Sequence, residues 1–235
     1  MSPRHLIFLL VLVIVSQTAI AETPALPPSL ASTAELDYLP LIFEPNHGQA
    51  EEQAQFVTRT VGLTVLLEGN RTELVVPPEW PLLKVPSSHP GIVSIELIGS
   101  TNVVMKGTDL LLGKSHYYRG KDTSQWITDI PQFGKVKSEN VYPNIDMVYY
   151  GTAGELEYDF VVNPGADPDN IRFHIIGADD LAPDKLGNLT LKVGVNRISL
   201  KQPVVYQVEN HHRTVVSSRY VIYRDGSVSF DHLGQ

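Results

Sequence analysis

Apolar and polar residues alternate along most of the chain, with the two-residue period of a β-strand that buries one face. The pattern is clearest in residues 140–162, NVYPNIDMVYYGTAGELEYDFVV, where two alternating runs flank a Gly-Thr-Ala-Gly turn. This arrangement predicts a β-hairpin. With Gly151 opposite Gly154, the hairpin would place six apolar or aromatic side chains on one face. These are Ile145, Met147, Tyr149, Leu156, Tyr158 and Phe160.

The other face of this hairpin carries acidic residues. The same register sets Asp146 opposite Asp159, with Glu157 on the same side. Like charges that lie directly opposite each other destabilise a sheet, so this arrangement needs an explanation. Either the carboxylates form a calcium site or an acid–base pair, or the register differs, or arginines and backbone N–H groups satisfy each carboxylate separately. We favour the last two, because structural ion pairs are commoner than functional sites.

Three further segments alternate around glycine-containing turns at residues 69–70, 194–195 and 225–226, which are typical of short hairpin loops. The first two hairpins are each expected to bury one face. The buried residues would be Leu63, Val65, Leu67, Leu74 and Val76 in the first, and Leu189, Leu191, Val193, Ile198 and Leu200 in the second. In the third, the pattern sets Tyr223 opposite Val228 and Val221 opposite Phe230.

No long segment shows the 3.6-residue apolar period of a helix. Short strands broken by Gly, Pro, Asn and Asp predict an all-β fold, an antiparallel β-sandwich built from successive hairpins. Proline-rich residues 77–90 are expected to form a surface loop, and Pro131 to interrupt a short strand in residues 126–137. The turn-forming run NPGADPDN, residues 163–170, marks the place where two β subdomains would divide.

The first residues have the features of a secretory signal peptide. Arg4 precedes the apolar run LIFLLVLVIV, and Ala19-Ile20-Ala21 is a small-residue cleavage signal. The apolar run is too short for a stable membrane-spanning helix, which needs about 20 residues. We therefore expect cleavage after Ala21, with an uncleaved membrane anchor as the alternative. Residues 22–40, rich in Pro, Ala and Ser, would form a flexible leader before a domain at 41–235.

Composition limits the classes of partner. Removal of Arg4 with residues 1–21 would leave 17 basic and 26 acidic side chains, a formal charge of −9. This acidic balance argues against nucleic acid and against anionic membranes as partners. The chain has no cysteine, which excludes thiol catalysis and thiolate zinc sites. Secretion or display at the cell surface is the expected location.

Four segments resemble a known family. They are FEPNHGQ (43–49), NVYPNIDMVYYGTAGELEYDFVVNPGADPDNI (140–171), KQPVVYQ (201–207) and RYVIYRDGSVSF (219–230). Together they are similar to the domain of unknown function that precedes SBBP-type β-propeller repeats in bacterial extracellular and cell-surface proteins. The resemblance implies a secreted, β-rich module, and it implies no established activity and no catalytic residues.

Other candidate chemistry is weak. Tyr117, Tyr118 and Trp126 are candidates for a sugar-binding face, although such aromatics more often belong to a core. His211 and His212 are adjacent, so on a strand they would point to opposite faces. No catalytic motif is present, and we expect no cofactor, with a calcium ion at Asp146, Glu157 and Asp159 as the alternative. The sequence thus predicts a non-enzymatic structural or interaction module that binds a surface polysaccharide, a protein or a propeller domain. The alternative is a secreted hydrolase or carbohydrate-binding module that uses the acidic cluster.

Overall fold

A computed structural model describes residues 5–15, by their backbone, and residues 41–60, 62–77, 90–152, 154–209 and 212–232. The described residues form eighteen β-strands and two 3-10 turns, Thr123–Gln125 and Pro168–Asn170. The strands are β1 (His5–Val15), β2 (Phe43–Pro45), β3 (Phe56–Thr60), β4 (Leu63–Leu67), β5 (Arg71–Val76), β6 (Gly91–Leu97), β7 (Lys106–Tyr117), β8 (Ile127–Tyr142), β9 (Ile145–Thr152), β10 (Glu155–Val162), β11 (Arg172–Ile176), β12 (Asp180–Pro183), β13 (Leu189–Val193), β14 (Asn196–Leu200), β15 (Val204–Glu209), β16 (His212–Val216), β17 (Ser218–Ile222) and β18 (Val228–His232). The expectations for the cleavage site, for residues 22–40, for most of the proline-rich loop and for His211 fall outside the described residues.

The predicted all-β antiparallel sandwich is confirmed. Strands β7 to β10 pair in chain order, and β8 also meets β2 through Phe43 and Phe133. From β2 the ladder continues through β3, β4, β5, β6, β11 and β18 to β17. Thr72 of β5 hydrogen-bonds to Tyr149 of β9, and residues of β5, β6, β9 and β10 share one hydrophobic cluster, so these strands face each other across the core. Strands β12–β14 and β15–β16 form two smaller units.

The core lies between these layers and follows the predicted faces. All of the residues predicted to be buried in the hairpins β4–β5, β9–β10 and β13–β14 have 5% or less of their surface exposed. Aromatic rings connect the layers. The ring centroid of Phe230 in β18 lies 6.3 Å from that of Phe160 in β10 and 5.8 Å from that of Phe173 in β11. Residues before and after the 163–170 loop therefore contribute to one hydrophobic cluster.

The register predicted for the last hairpin is wrong. Tyr220 pairs with Phe230, and Ile222 with Val228, so each lies one position from the predicted partner. Tyr223 donates its backbone N–H to the carbonyl of Ser227, which leaves three residues in the loop. Gly226 has a φ of 79°, as in three-residue loops that end in a left-handed residue. Because side chains alternate along a strand, the extra loop residue places Tyr220 and Ile222 on the face where the pattern had placed Val221 and Tyr223.

Pro131 does not interrupt its strand, since β8 runs without a break from Ile127 to Tyr142. At Pro131 the strand pairs with β7 alone, and its pairing with β2 and β9 begins only at Phe133 and Lys135. The β7–β8 ladder also shifts register between Leu110 and Lys114. Proline is tolerated at such edges and irregularities, where its missing N–H breaks no regular ladder.

Candidate functional site

The predicted acidic cluster on the β9–β10 hairpin does not form as expected. Tyr149 pairs with Tyr158 and Met147 with Phe160, so the predicted face is correct but each pairing is displaced. Asp146 consequently lies opposite Val161, and Asp159 opposite Val148. Gly154 has a φ of 78°, a left-handed conformation that glycine adopts without strain. This places the turn one residue further along the chain than the pattern indicated, and the two aspartates do not face each other.

Asp146 has a separate, structural role. Its carboxylate lies 3.0 Å from the Nζ atom of Lys137 and accepts a hydrogen bond of 2.9 Å from the backbone N–H of Asn140. The hydrogen bond to Asp146 raises the pKa of Lys137. Asn140 has a φ of 54°, so Asp146 holds a residue of left-handed conformation near the end of β8.

Glu157 and Asp159 remain together on the outer face of β10 and share a neighbour, Tyr150. The hydroxyl of Tyr150 donates a hydrogen bond of 3.2 Å to Asp159. Burial raises the pKa of Asp159 to about 6, and the negative charge of Glu157 acts in the same direction. Burial also raises the pKa of Tyr150, and the charges of both carboxylates add to this rise. We call Tyr150, Glu157 and Asp159 the carboxylate–tyrosine cluster.

Two cations flank the carboxylate–tyrosine cluster. The ammonium group of Lys135 lies 6.0 Å from the ring centroid of Tyr150, and the guanidinium of Arg213 lies 4.8 Å from that of Tyr206. Both positive charges lower the pKa of Asp159 and so oppose the effect of burial. Among the described residues, no three His, Asp or Glu side chains are grouped closely enough to hold a metal ion. Asp146 pairs with Lys137, whereas Glu157 and Asp159 adjoin Tyr150, so the three carboxylates considered as calcium ligands have separate surroundings.

Two open depressions on the described surface lie elsewhere. One, of about 420 Å³, is lined by residues of the β14–β16 region, including Lys201 and Gln202. The other, of about 470 Å³, lies beside Tyr223 and Asp231. Neither of these two depressions is lined by Glu157 or Asp159. The carboxylate–tyrosine cluster therefore lies outside both of them, on the less buried face of β10.

A second polar network, which the sequence pattern did not indicate, centres on Glu44 of β2. Its carboxylate is almost fully buried and accepts hydrogen bonds from the hydroxyl of Ser115 and, at 2.5 Å, from that of Tyr117. Arg59 lies 3.7 Å from the same carboxylate and donates to the hydroxyl of Tyr117 at 2.7 Å. Burial and the hydrogen bond to Glu44 raise the pKa of Tyr117. The network joins β2, β3 and β7, and only its position within the FEPNHGQ segment could have drawn attention to Glu44.

The rest of the FEPNHGQ segment also makes structural contacts. The side-chain amide of Asn46 donates to the carbonyls of Glu51 and Ala54, and its oxygen accepts from the backbone N–H of Gly48. Arg119, which follows β7, donates a hydrogen bond of 2.8 Å to the carbonyl of Gln49. The segment therefore holds the end of β7 against the body of the domain.

Strands β7 and β8 form a long arm with exposed apolar residues. Most side chains of β7 are exposed, including Leu110 and Leu112. Tyr118 and Trp126 lie just beyond the strands, with their ring centroids 4.9 Å apart, and the ring of His116 stacks at 6.0 Å on Tyr118. Of the three aromatics considered as candidates for a sugar-binding face, Tyr118 and Trp126 lie together at the surface, whereas Tyr117 turns toward Glu44. We call residues 106–135 the arm.

Comparison with family models decides which family this architecture represents. Residues 43–235 match the model described as a domain of unknown function, DUF7948. The chain belongs to this family. The DUF7948 match begins at Phe43, the first residue of β2 and of the FEPNHGQ segment, and it includes the arm and both polar networks. Comparison with curated proteins and with solved structures found no match. The described residues also contain no helix of the length and apolar character needed to cross a membrane.

Proposed function

We propose that this DUF7948 chain is a non-enzymatic interaction domain, exported to the surface or exterior of a bacterial cell, and that the arm is its contact surface. The observation that supports this most directly is the exposure of Leu110, Leu112 and Tyr118 on one extended hairpin. Exposed apolar groups that cluster on a surface mark interaction sites more often than scattered ones do. The signal-peptide pattern of residues 1–21 supports export.

The partner we propose for the arm is a β-propeller of the SBBP type. The resemblance of residues 140–171 to domains that precede such repeats supports this choice. The arm is well suited to the role, because aromatic residues at the centre of an interface supply much of its binding energy. Its attachment through Glu44, and through the bond from Arg119 to Gln49 at the end of β7, lowers the entropy lost on binding.

Binding of a purified SBBP-type propeller domain tests the proposal. Leu112→Asp and Tyr118→Asp, both in the arm, are expected to weaken binding by about tenfold or more, equivalent to about 1.4 kcal/mol. The matched control is Val195→Asp, which places the same charge at an exposed residue of the β13–β14 turn and is expected to leave binding unchanged. Equal affinity for all four proteins, or no binding by any, would contradict the proposal. Export is tested separately by N-terminal sequencing of the secreted protein, for which the expected first residue is Glu22.

A secreted hydrolase or carbohydrate-binding module is the second candidate function. The raised pKa of Asp159, about 6, and the tyrosine that Asp159 shares with Glu157 favour it, because a carboxyl group protonated near neutral pH can act as a general acid. Turnover of a polysaccharide or peptide library by the pure protein, abolished by Asp159→Asn and retained by Asp180→Asn, would favour this candidate over the first.

A further inference from the structure

Strand β1, which lies within the proposed signal peptide, occupies a central position in the sheet. One of its edges pairs antiparallel with β10 over seven residues, from Leu6 opposite Val162 to Leu12 opposite Leu156. Its other edge pairs with five residues of β15 and four of β14. Without β1, strands β10, β14 and β15 would each pair on one side only. The two smaller units would then have no ladder to the large sheet.

The residues opposite β1 form two buried apolar rows. Alternate positions of β1, starting at Leu6, lie opposite residues of β10 that are 4% exposed or less. On the other edge Phe8, Leu12 and Ile14 lie opposite residues of β14 and β15 that are 1% exposed or less, whereas Leu6 lies opposite the half-buried Gln207. These rows consist of Leu156, Tyr158, Phe160 and Val162 on β10, and Ile198, Leu200 and Val205 on the other side. The position therefore suits a strand that is apolar at every second residue, because opposed residues share a face.

Processing after Ala21, which belongs to the proposed function, would remove this strand. The flanking strands would then lie about 9 to 10 Å apart, the width of one missing strand. Their unpaired N–H and C=O groups and their apolar rows form a template for strand addition. We propose that the processed domain has a strand slot between β10 and β14–β15, and that the slot binds an extended apolar strand from a partner polypeptide. The strand would be as long as β1, 11 residues, and antiparallel to β10.

Two observations favour a partner over the chain itself. Residues 22–40 contain four prolines, at positions 24, 27, 28 and 40, and proline lacks the N–H that a strand paired on both edges must donate. The proline-free run between them, residues 29–39, has polar residues in both of its alternating rows, Ser29, Thr33, Glu35 and Asp37 in one and Ser32 in the other. It therefore does not supply an apolar residue at every second position, as the slot requires. A second copy would have to release a strand that is already paired, because each of β2 to β18 has a partner in its own sheet. The strand pairings that define the slot are present in the structure. Only the removal of β1 from the slot depends on export.

The experiment uses the full chain with a site for a specific protease placed within residues 22–40. The folded protein is cut and passed through a size-exclusion column, and the fragment that contains β1 is expected to co-elute with the body. A labelled peptide of residues 5–15 with a lysine tail is expected to exchange into the slot at excess concentration. The competitor peptides carry the same substitution one position apart. Leu9 lies opposite the outward-facing Asp159, and Leu10 lies opposite the buried Tyr158.

The Leu9→Lys peptide is expected to compete nearly as well as the original. The Leu10→Lys peptide should need a concentration about tenfold higher or more for the same competition, because only this substitution sets a charge opposite a buried residue. A body that stays folded, loses the fragment and does not bind the peptide would overturn the proposal. So would equal competition by both peptides, or dimers formed on cutting, which would make a second copy the occupant. An exported protein that retains residues 1–21 would refute the processing step, even where the peptide binds.

Discussion

The hydroxyl groups of Thr72 and Tyr149 lie 2.7 Å apart and form a buried hydrogen bond between β5 and β9, one strand from each layer of the sandwich. The neighbouring Tyr158 is equally buried, and its hydroxyl has no hydrogen-bond partner among the described residues. The two rings pack 5.9 Å apart. Burial raises the pKa of both phenols, so both hydroxyls stay protonated at neutral pH.

This pair predicts opposite effects for one chemical change. Tyr149→Phe is expected to reduce the free energy of unfolding by about 1 to 3 kcal/mol, because it leaves the hydroxyl of Thr72 buried without its partner. Tyr158→Phe removes an unpaired buried hydroxyl and is expected to be neutral or stabilising by about 1 kcal/mol. Urea unfolding measures both changes.

A cavity of about 10 Å³ borders Tyr149 and Tyr158, which is about the smallest cavity that holds a water molecule. A loss of stability in Tyr158→Phe as large as in Tyr149→Phe would show that a water molecule bonds this hydroxyl, and would contradict the prediction. The double variant Thr72→Val with Tyr149→Phe should be less destabilised than the sum of the single variants, because both partners are then apolar.

The raised pKa of Asp159 predicts a pH dependence of stability. The native state keeps the proton up to a pH of about 6, whereas the unfolded chain loses it near the ordinary aspartate pKa of about 4. The unfolding free energy should therefore fall as the pH rises from about 4 to 6 and then level off. After allowance for the exposed part of the side chain, we expect Asp159 to account for a fall on the order of 1 kcal/mol.

Asp159→Asn should remove this part of the fall and leave a protein that is more stable at pH 7 than the unsubstituted chain. Urea unfolding at pH 4.5 and pH 7 measures the difference. Asp180→Asn makes the same change at an exposed aspartate of β12 and should retain the fall. An identical pH profile for Asp159→Asn and the unsubstituted chain would disprove the assignment.

The Glu44 network predicts the stability of the arm. Glu44→Gln replaces a carboxylate that accepts two hydroxyl hydrogen bonds and pairs with Arg59. Charge-assisted hydrogen bonds of this kind contribute about 1.5 to 3 kcal/mol. Backbone amides of β7 should therefore exchange with deuterium about tenfold faster or more, while those of β13 and β14 keep their rates. Lys114→Met removes an exposed ion pair with Asp129 and should change little. Equal protection of β7 in both variants would contradict this role.

Gly151 is expected to tolerate no larger side chain. A Cβ atom built on Gly151 lies 2.5 Å from the Cβ of Leu41, which is itself buried. Gly151→Ala should lower the unfolding free energy by about 1 to 3 kcal/mol through overpacking. Combining it with Leu41→Gly removes the Cβ and Cγ atoms that the new methyl group would meet at 2.5 Å, so the pair should lose less than the two single losses added together. Thermal denaturation checks both, and an unchanged melting temperature for Gly151→Ala would contradict the close contact.

The alternation of residues was sufficient to predict the fold class and the buried faces. The faces of β4–β5, β9–β10 and β13–β14 follow from the two-residue period of a strand, and this period survives a register error of two positions. Register itself was not predictable at two turns, because it depends on which residue takes the left-handed conformation. Gly154 and Gly226 adopt this conformation. The first moves its loop one residue along the chain and the second lengthens its loop to three residues, and the alternation of residues encodes neither change.

The sequence by itself thus determined that the chain is all-β, which faces are buried, and where an apolar run lies near the N-terminus. Tertiary structure alone decided that Asp146 pairs with Lys137, and that Glu44 meets Ser115 and Tyr117 of β7, a strand about seventy residues away. It also decided that the apolar run fits between β10 and β14–β15. The physical reason is that alternation is a local property of the backbone, whereas polar partners and strand neighbours are chosen by long-range packing.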